Sequence, residues 1–239
     1  KELITKSKIQ LQKSKPLFAY LLINLNYIEK KEIPTMAVDN HNNLYYNPEW
    51  VKGLNEDECS GVLCHELCHV IFNHLIRTET RDALLFNFST DCVVNDILVA
   101  NDFKLPKGGL IPNNDHSIQF CGIEVKELDR KSAEVVYDEI TSKLKKTKQN
   151  MQVISESRFD EHITDDLKNG KDSKGKPLSE KQIKEIKEGM DKWKKLLVEA
   201  ATYSKTIGQV PNGLEMHIGE ILNPKVDWRN LLYKFITNS

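Results

Sequence analysis

The stretch Cys64-His65-Glu66-Leu67-Cys68-His69 contains the pattern His-Glu-x-x-His within a segment whose apolar residues favour a helix. Residues four apart lie on the same face of a helix, so the imidazoles of His65 and His69 can bind one metal ion. Glu66 stands where a general base is found in sites that activate a water molecule for attack on a carbonyl. Because three fixed positions arise by chance in on the order of one chain in a hundred, the surrounding sequence has to support this interpretation.

The helix that carries this motif has a clear beginning in the sequence. Asn55-Glu56-Asp57-Glu58 supplies an N-cap residue, acids in the first turn and a capping-box glutamate. We predict a helix from about Glu56 to near Arg77, with the metal motif on the stripe opposite the apolar residues. On such a helix His74 lies about 180° from His65, on the apolar side. We therefore expect His74 to be a packed histidine and the third ligand to come from elsewhere.

The best source of a third ligand is the segment from Leu84 to Leu98, which reads as a second helix packed antiparallel to the first. Asp91 and Asn95 lie one turn apart on it, opposite an apolar side. A carboxylate from this helix would complete a three-ligand site and leave a fourth position for water. We predict Asp91 as the ligand. The alternatives are Asp96, Asn95 or no carboxylate ligand, with Asp91 a solvated acid or one paired with an arginine.

The amino-acid composition and the charge limit the classes of function that the chain can have. The chain has 239 residues, 39% hydrophobic and 29% charged, and a formal net charge of -1, which is the balance of a globular domain. We expect no nucleic-acid partner and no membrane association, since there is no basic excess and no uninterrupted apolar run that spans a bilayer. The odd set of five cysteines and the absence of a secretory pattern predict a reducing, cytoplasmic location. The first residue is not Met, which suggests a fragment.

The remaining pattern predicts an α+β fold that is mostly helical. Residues from about Ile4 to Ile28 read as two helices divided at Pro16. Thr35 to Asp39 and Asn43 to Asn47 read as a small antiparallel β-hairpin beside the motif helix. We expect the strand Asn43 to Asn47 to run along the cleft and to pair by its edge with an extended peptide.

Three regions follow from this pattern. Residues 1–142 form the core with the metal site, residues 143–185 form a charged excursion, and residues 186–239 add helices that complete the domain. Later helices are predicted from Ser132 to Leu144 and after Ser179, where Gln182 completes a capping box. In the excursion, His162 is a further candidate for a ligand or a hydrogen-bond donor, although a lone His in a polar stretch is more often solvated. The candidate donors for a reaction oxyanion are Tyr45, Tyr46, Tyr137 and His162.

These residues carry a resemblance to a known family. The order Thr35 to Asp39, Tyr46-Asn47-Pro48-Glu49, His65 to His69 followed by His74 and Arg77, and Asp91 with Asn95 resembles the metallopeptidase domain of bacterial and phage proteins that precedes a von Willebrand factor A-like domain. Val226-Asp227-Trp228-Arg229 resembles the segment that leads into that domain. The resemblance implies a zincin-like core, a zinc site at His65, His69 and Asp91, and an A-like domain beyond the end of this chain.

Two functions from different classes are compatible with the sequence. The first is a zinc-dependent peptidase in which His65, His69 and Asp91 hold Zn²⁺ and Glu66 is the general base. The second is a non-catalytic, metal-stabilised interaction domain that works with an A-like domain and an ATPase partner. Glu66 favours the first function, because a purely structural site has no use for a base. Two His and one carboxylate also suit Fe²⁺, Mn²⁺ or Co²⁺, and an accidental motif is the third possibility.

Overall fold

The structure is a computed structural model and describes residues 1–39, 41–78, 81–120, 122–147 and 179–208, together with 211, 214, 218 and 219. Its helices are α1 (Glu2–Ser14), α2 (Pro16–Leu22), α3 (Pro48–Lys52), α4 (Glu56–Ile71), α5 (Ala83–Ala100), α6 (Ala133–Thr147) and α7 (Glu180–Thr206). Its strands are β1 (Asn26–Glu29), β2 (Met36–Val38), β3 (Asn43–Tyr46), β4 (Ile118–Phe120) and β5 (Ile123–Val125). The prediction of a mostly helical α+β fold is confirmed. His162 and the predicted last helix lie outside the described residues.

The sheet beside α4 has three strands in the order β1-β3-β2. The predicted hairpin is present, since β2 and β3 pair antiparallel. The prediction of helix up to Ile28 was wrong, because the chain leaves the helix at Leu22 and β1 pairs in parallel with β3. As a consequence β3 is the central strand and both of its edges are occupied. An extended peptide cannot pair with β3, and β2 is the edge strand that packs against α4.

The central helices α4 and α5 are buried on nearly all sides. From Cys59 to Ile71, every residue of α4 is buried, and so is every residue of α5 from Leu85 to Leu98. Among the described residues, α5 is the one helix long and apolar enough to cross a membrane, and 72% of it is buried inside the fold. Such burial is typical of a core helix. Four cysteines, Cys59, Cys64, Cys68 and Cys92, are buried free thiols.

Helix α4 ends earlier than the sequence indicated. We predicted it to continue to near Arg77, but its last residue is Ile71. Asn73 adopts the left-handed conformation with φ of 55°, which asparagine tolerates better than most residues, and a short 3-10 turn follows over His74–Ile76. The turn changes the direction of the chain, so His74 does not lie on the apolar side of a continuing helix.

Helix α7 crosses the same region from the far end of the chain. It begins at the predicted capping box, in which Ser179 and Gln182 each bond the backbone of the other. Its buried stripe packs against α2 and α4. Trp193 of this stripe donates from Nε1 to Oδ1 of Asn42, so α7 contacts the hairpin as well as the motif helix.

Candidate metal centre

Three potential ligands come together between α4 and α5. The Nε2 atoms of His65 and His69 are 3.1 Å apart, and Oδ1 of Asp91 lies 3.8 Å from the first and 3.3 Å from the second. Zinc binds such atoms at roughly 2.0–2.2 Å, so two ligands of a tetrahedral ion are about 3.4 Å apart. One ion can therefore contact all three atoms at about 2.1 Å. This group of two imidazoles and a carboxylate could hold a metal ion.

The position of the His65 ring is fixed by Asn95. His65 Nδ1 lies 2.8 Å from Oδ1 of Asn95, while the Asn95 amide nitrogen donates to the carbonyl of Leu110 at 2.7 Å. That second bond identifies Oδ1 as the atom facing His65, so Nδ1 of His65 is the donor. The lone pair of His65 is then on Nε2, the nitrogen that faces His69 and Asp91. Asn95 thus lies beside the group of potential ligands and orients one of them.

His69 has a comparable contact on its other side. Its Nδ1 lies 3.2 Å from Nδ1 of His74, and His74 is buried. His74 is a packed histidine, but our reason for expecting this was wrong, since the helix ends before it. Asn73 is the sequence signal that could have revealed this contact. Asparagine often ends a helix, and here it directly precedes His74.

Glu66 is fully buried and lines a small cavity on one side of the ligand group. The cavity walls are Thr35, Trp50, Val62, His65, Glu66, Leu105 and Pro106. A second cavity on the other side has walls from the hairpin, the end of α4 and α7, namely Asp39, Asn42, His69, Val70, Asn73, Leu75, Ile76, Ile186, Gly189, Met190 and Trp193. Thr35 and Asp39 flank β2, so this edge strand runs from one cavity to the other beside the motif.

The alternative third ligand, Asp96, faces a different partner. Its Oδ2 lies 2.9 Å from Nδ1 of His116, and the hydrogen bond with Asp96 raises the pKa of that histidine. Asp91 and Asp96 are both buried on α5. Among the described acids, it is Asp91 that forms a three-membered group with His65 and His69.

The tyrosines proposed as oxyanion donors make other contacts. The Tyr46 hydroxyl donates to Glu29 at 3.0 Å, and burial together with this bond raises its pKa to about 12. The Tyr45 hydroxyl donates to Asp39 at 2.9 Å. The Tyr137 hydroxyl accepts a bond from the backbone N–H of Asp82. None of these three tyrosines lines either cavity beside the ligand group, as far as the described residues define them.

Comparison with known proteins gives one finding. A family described as "Putative metallopeptidase domain" matches residues 2–239. No curated protein and no solved structure matches the chain significantly. The family match covers the whole of the region described above, including α4, α5 and the hairpin.

Proposed function

The chain belongs to the family described as "Putative metallopeptidase domain", and from this membership we propose that it is a zinc-dependent peptidase. His65, His69 and Asp91 hold the metal ion, and Glu66 is the general base. The observation that carries the proposal is the approach of three suitable ligand atoms within 4.8 Å of one another, next to a buried glutamate on the same helix. The arrangement supports a zincin-like core.

The metal ion and the side chains have different roles in peptide hydrolysis. When bound, Zn²⁺ lowers the pKa of a coordinated water to about 7 and polarises a carbonyl group. Glu66 accepts a proton from the attacking water and delivers it to the amine as the C–N bond of the peptide breaks. Asn95 keeps the His65 ring in the tautomer with a free lone pair on Nε2. The walls around Glu66, including Trp50 and Pro106, limit the access of bulk water.

The test of the function is Glu66→Gln. The substitution keeps size and hydrogen bonding but removes the base, so we expect a full complement of zinc and loss of hydrolysis of a denatured protein substrate. Glu56→Gln, at an exposed position of the same helix, is the matched control and should remain active. Zinc content is measured by mass spectrometry and cleavage by the appearance of new peptide termini. Hydrolysis by Glu66→Gln at the wild-type rate would refute the mechanism.

One observation favours the interaction domain as the second candidate. His65, Glu66, His69 and Asp91 are each at most 4% exposed, which is the burial expected of a structural site. If this candidate is correct, chelation lowers the melting temperature, neither wild type nor Glu66→Gln cleaves any substrate, and the chain serves to present an A-like domain to an ATPase. Zinc-dependent cleavage by the wild type excludes it.

A further inference from the structure

We propose that His74 is a positioning residue for the metal centre: it accepts a hydrogen bond from Nδ1–H of His69 and thereby holds Nε2 of that ring toward the metal ion. The inference rests on the metal site of the proposed function. It adds a residue that lies outside the His-Glu-x-x-His motif and is not among the three ligands.

The assignment follows from the two nitrogens of the His69 ring. Nε2 faces His65 at 3.1 Å and Asp91 at 3.3 Å, so in the metal-bound site Nε2 carries the lone pair. The ring proton of neutral His69 is then on Nδ1. The atom 3.2 Å away is Nδ1 of His74, which must accept this proton's hydrogen bond. His74 is thus the tautomer with its own proton on Nε2.

The two ligand histidines are held in the same way by different residues. Nδ1 of His65 donates to Oδ1 of Asn95, and Nδ1 of His69 donates to Nδ1 of His74. Such outer partners fix the tautomer and orientation of a ligand histidine and increase its basicity. An amide oxygen and an unprotonated imidazole nitrogen are both neutral acceptors, so the pair of contacts adds no charge to the site.

The local backbone conformation places His74 beside His69. On a continuous helix, residues five apart are separated by about 140° around the axis, and His74 would not reach His69. The left-handed Asn73 ends the helix, and the N–H of Asn73 still bonds the carbonyl of Val70 at 3.1 Å. The chain therefore folds back against the last turn of α4.

An ion pair secures this turn from outside. The Arg77 guanidinium donates to the Phe72 carbonyl at 3.0 Å and, through two other nitrogens, to both carboxylate oxygens of Glu134 at 2.9 and 2.6 Å. A bidentate bond of this kind has a defined geometry. The turn from Phe72 to Arg77 is thus held against α6, and His74 lies within it.

The test compares His74→Leu with His74→Asn. Leu removes the acceptor, and we expect zinc affinity to fall about 10–100-fold, the usual cost of losing an outer partner of a ligand. Asn keeps an acceptor, because its Oδ1 is bonded to Cγ as Nδ1 is in histidine, and we expect affinity close to wild type. Affinity is measured by competition with a chromogenic chelator, so the result does not depend on hydrolysis.

The outcomes separate this inference from the proposed function. Equal affinity in wild type and His74→Leu would overturn the role of His74 while leaving the metal site intact. Complete loss of zinc binding by both variants, as expected for Asp91→Ala, would indicate that His74 is itself a ligand. That outcome would also overturn the positioning role. Absence of zinc binding by the wild type would refute both proposals.

A second measurement does not depend on the variants folding. Long-range ¹H–¹⁵N NMR of the zinc-loaded wild type reports the protonation of each imidazole nitrogen. We expect a proton on Nδ1 of His69 and none on Nδ1 of His74. The opposite assignment would contradict the hydrogen bond we infer.

Discussion

Two acids on one helix show how the position of a side chain decides its chemistry. Asp91 and Asp96 are buried on α5 five residues apart, and each lies beside a histidine. Asp91 faces His69, whose ring also contacts a second potential ligand. Asp96 faces His116, which is partly exposed. The same residue type is therefore part of a candidate ligand group in one place and hydrogen-bonded to a partly exposed histidine in the other.

This difference leads to a paired prediction. Asp91→Ala should abolish stoichiometric zinc binding, because two imidazoles alone leave the ion with too few protein ligands. Asp96→Ala should keep the zinc and lower only the stability of the fold, since it removes the partner of His116. Metal content and thermal unfolding of both purified variants check this. Zinc retained in the first variant or lost in the second would assign the third ligand differently.

At the residue scale, the sequence allows prediction of those contacts that follow from the periodicity of a single helix. The approach of His65 to His69 follows from four-residue spacing, and Asp91 can be placed because a short connection joins α4 to α5. The contact between His69 and His74 depends on one left-handed residue, Asn73. Helix periodicity contains no information about where a helix stops, so this contact was not predicted.

At the scale of elements, the sheet shows the corresponding limit for strands. The hairpin of β2 and β3 was predictable because its turn formers and apolar residues are adjacent in the sequence. Strand β1 was not, since Asn26–Glu29 becomes a strand only through parallel pairing with β3, and parallel pairing leaves no local signal. This one strand makes β3 the central strand and leaves β2, whose residues are all buried, at the end of the sheet.

At the scale of the whole molecule, the pair of Arg77 and Glu134 connects the end of the motif helix to α6. Both side chains are largely buried, with 14% and 18% exposed. Burial alone would raise the pKa of Glu134, but the charge and hydrogen bonds of Arg77 outweigh it, and the pKa lies below its ordinary value. The pair thus contributes a pH-dependent part of the stability of the fold.

The sign of this dependence follows from the lowered pKa. A carboxyl group whose pKa is lower in the folded state stabilises the fold fully above its unfolded pKa, which is about 4.3 for glutamate. That contribution is lost as the pH falls below this value and through the lower folded pKa. The free-energy difference between wild type and Glu134→Gln should therefore be constant from about pH 7 to 5 and shrink in more acidic solution.

Urea unfolding of both proteins across this range, with a chelator present, measures the difference without a contribution from bound metal. Glu49→Gln, which removes an exposed partner of Lys52, should show a much smaller change. A wild-type advantage over Glu134→Gln that persists unchanged into strong acid would mean that the pair does not hold the turn by its charge. In that case the ion pair between Arg77 and Glu134 would not be the reason why His74 stays against His69.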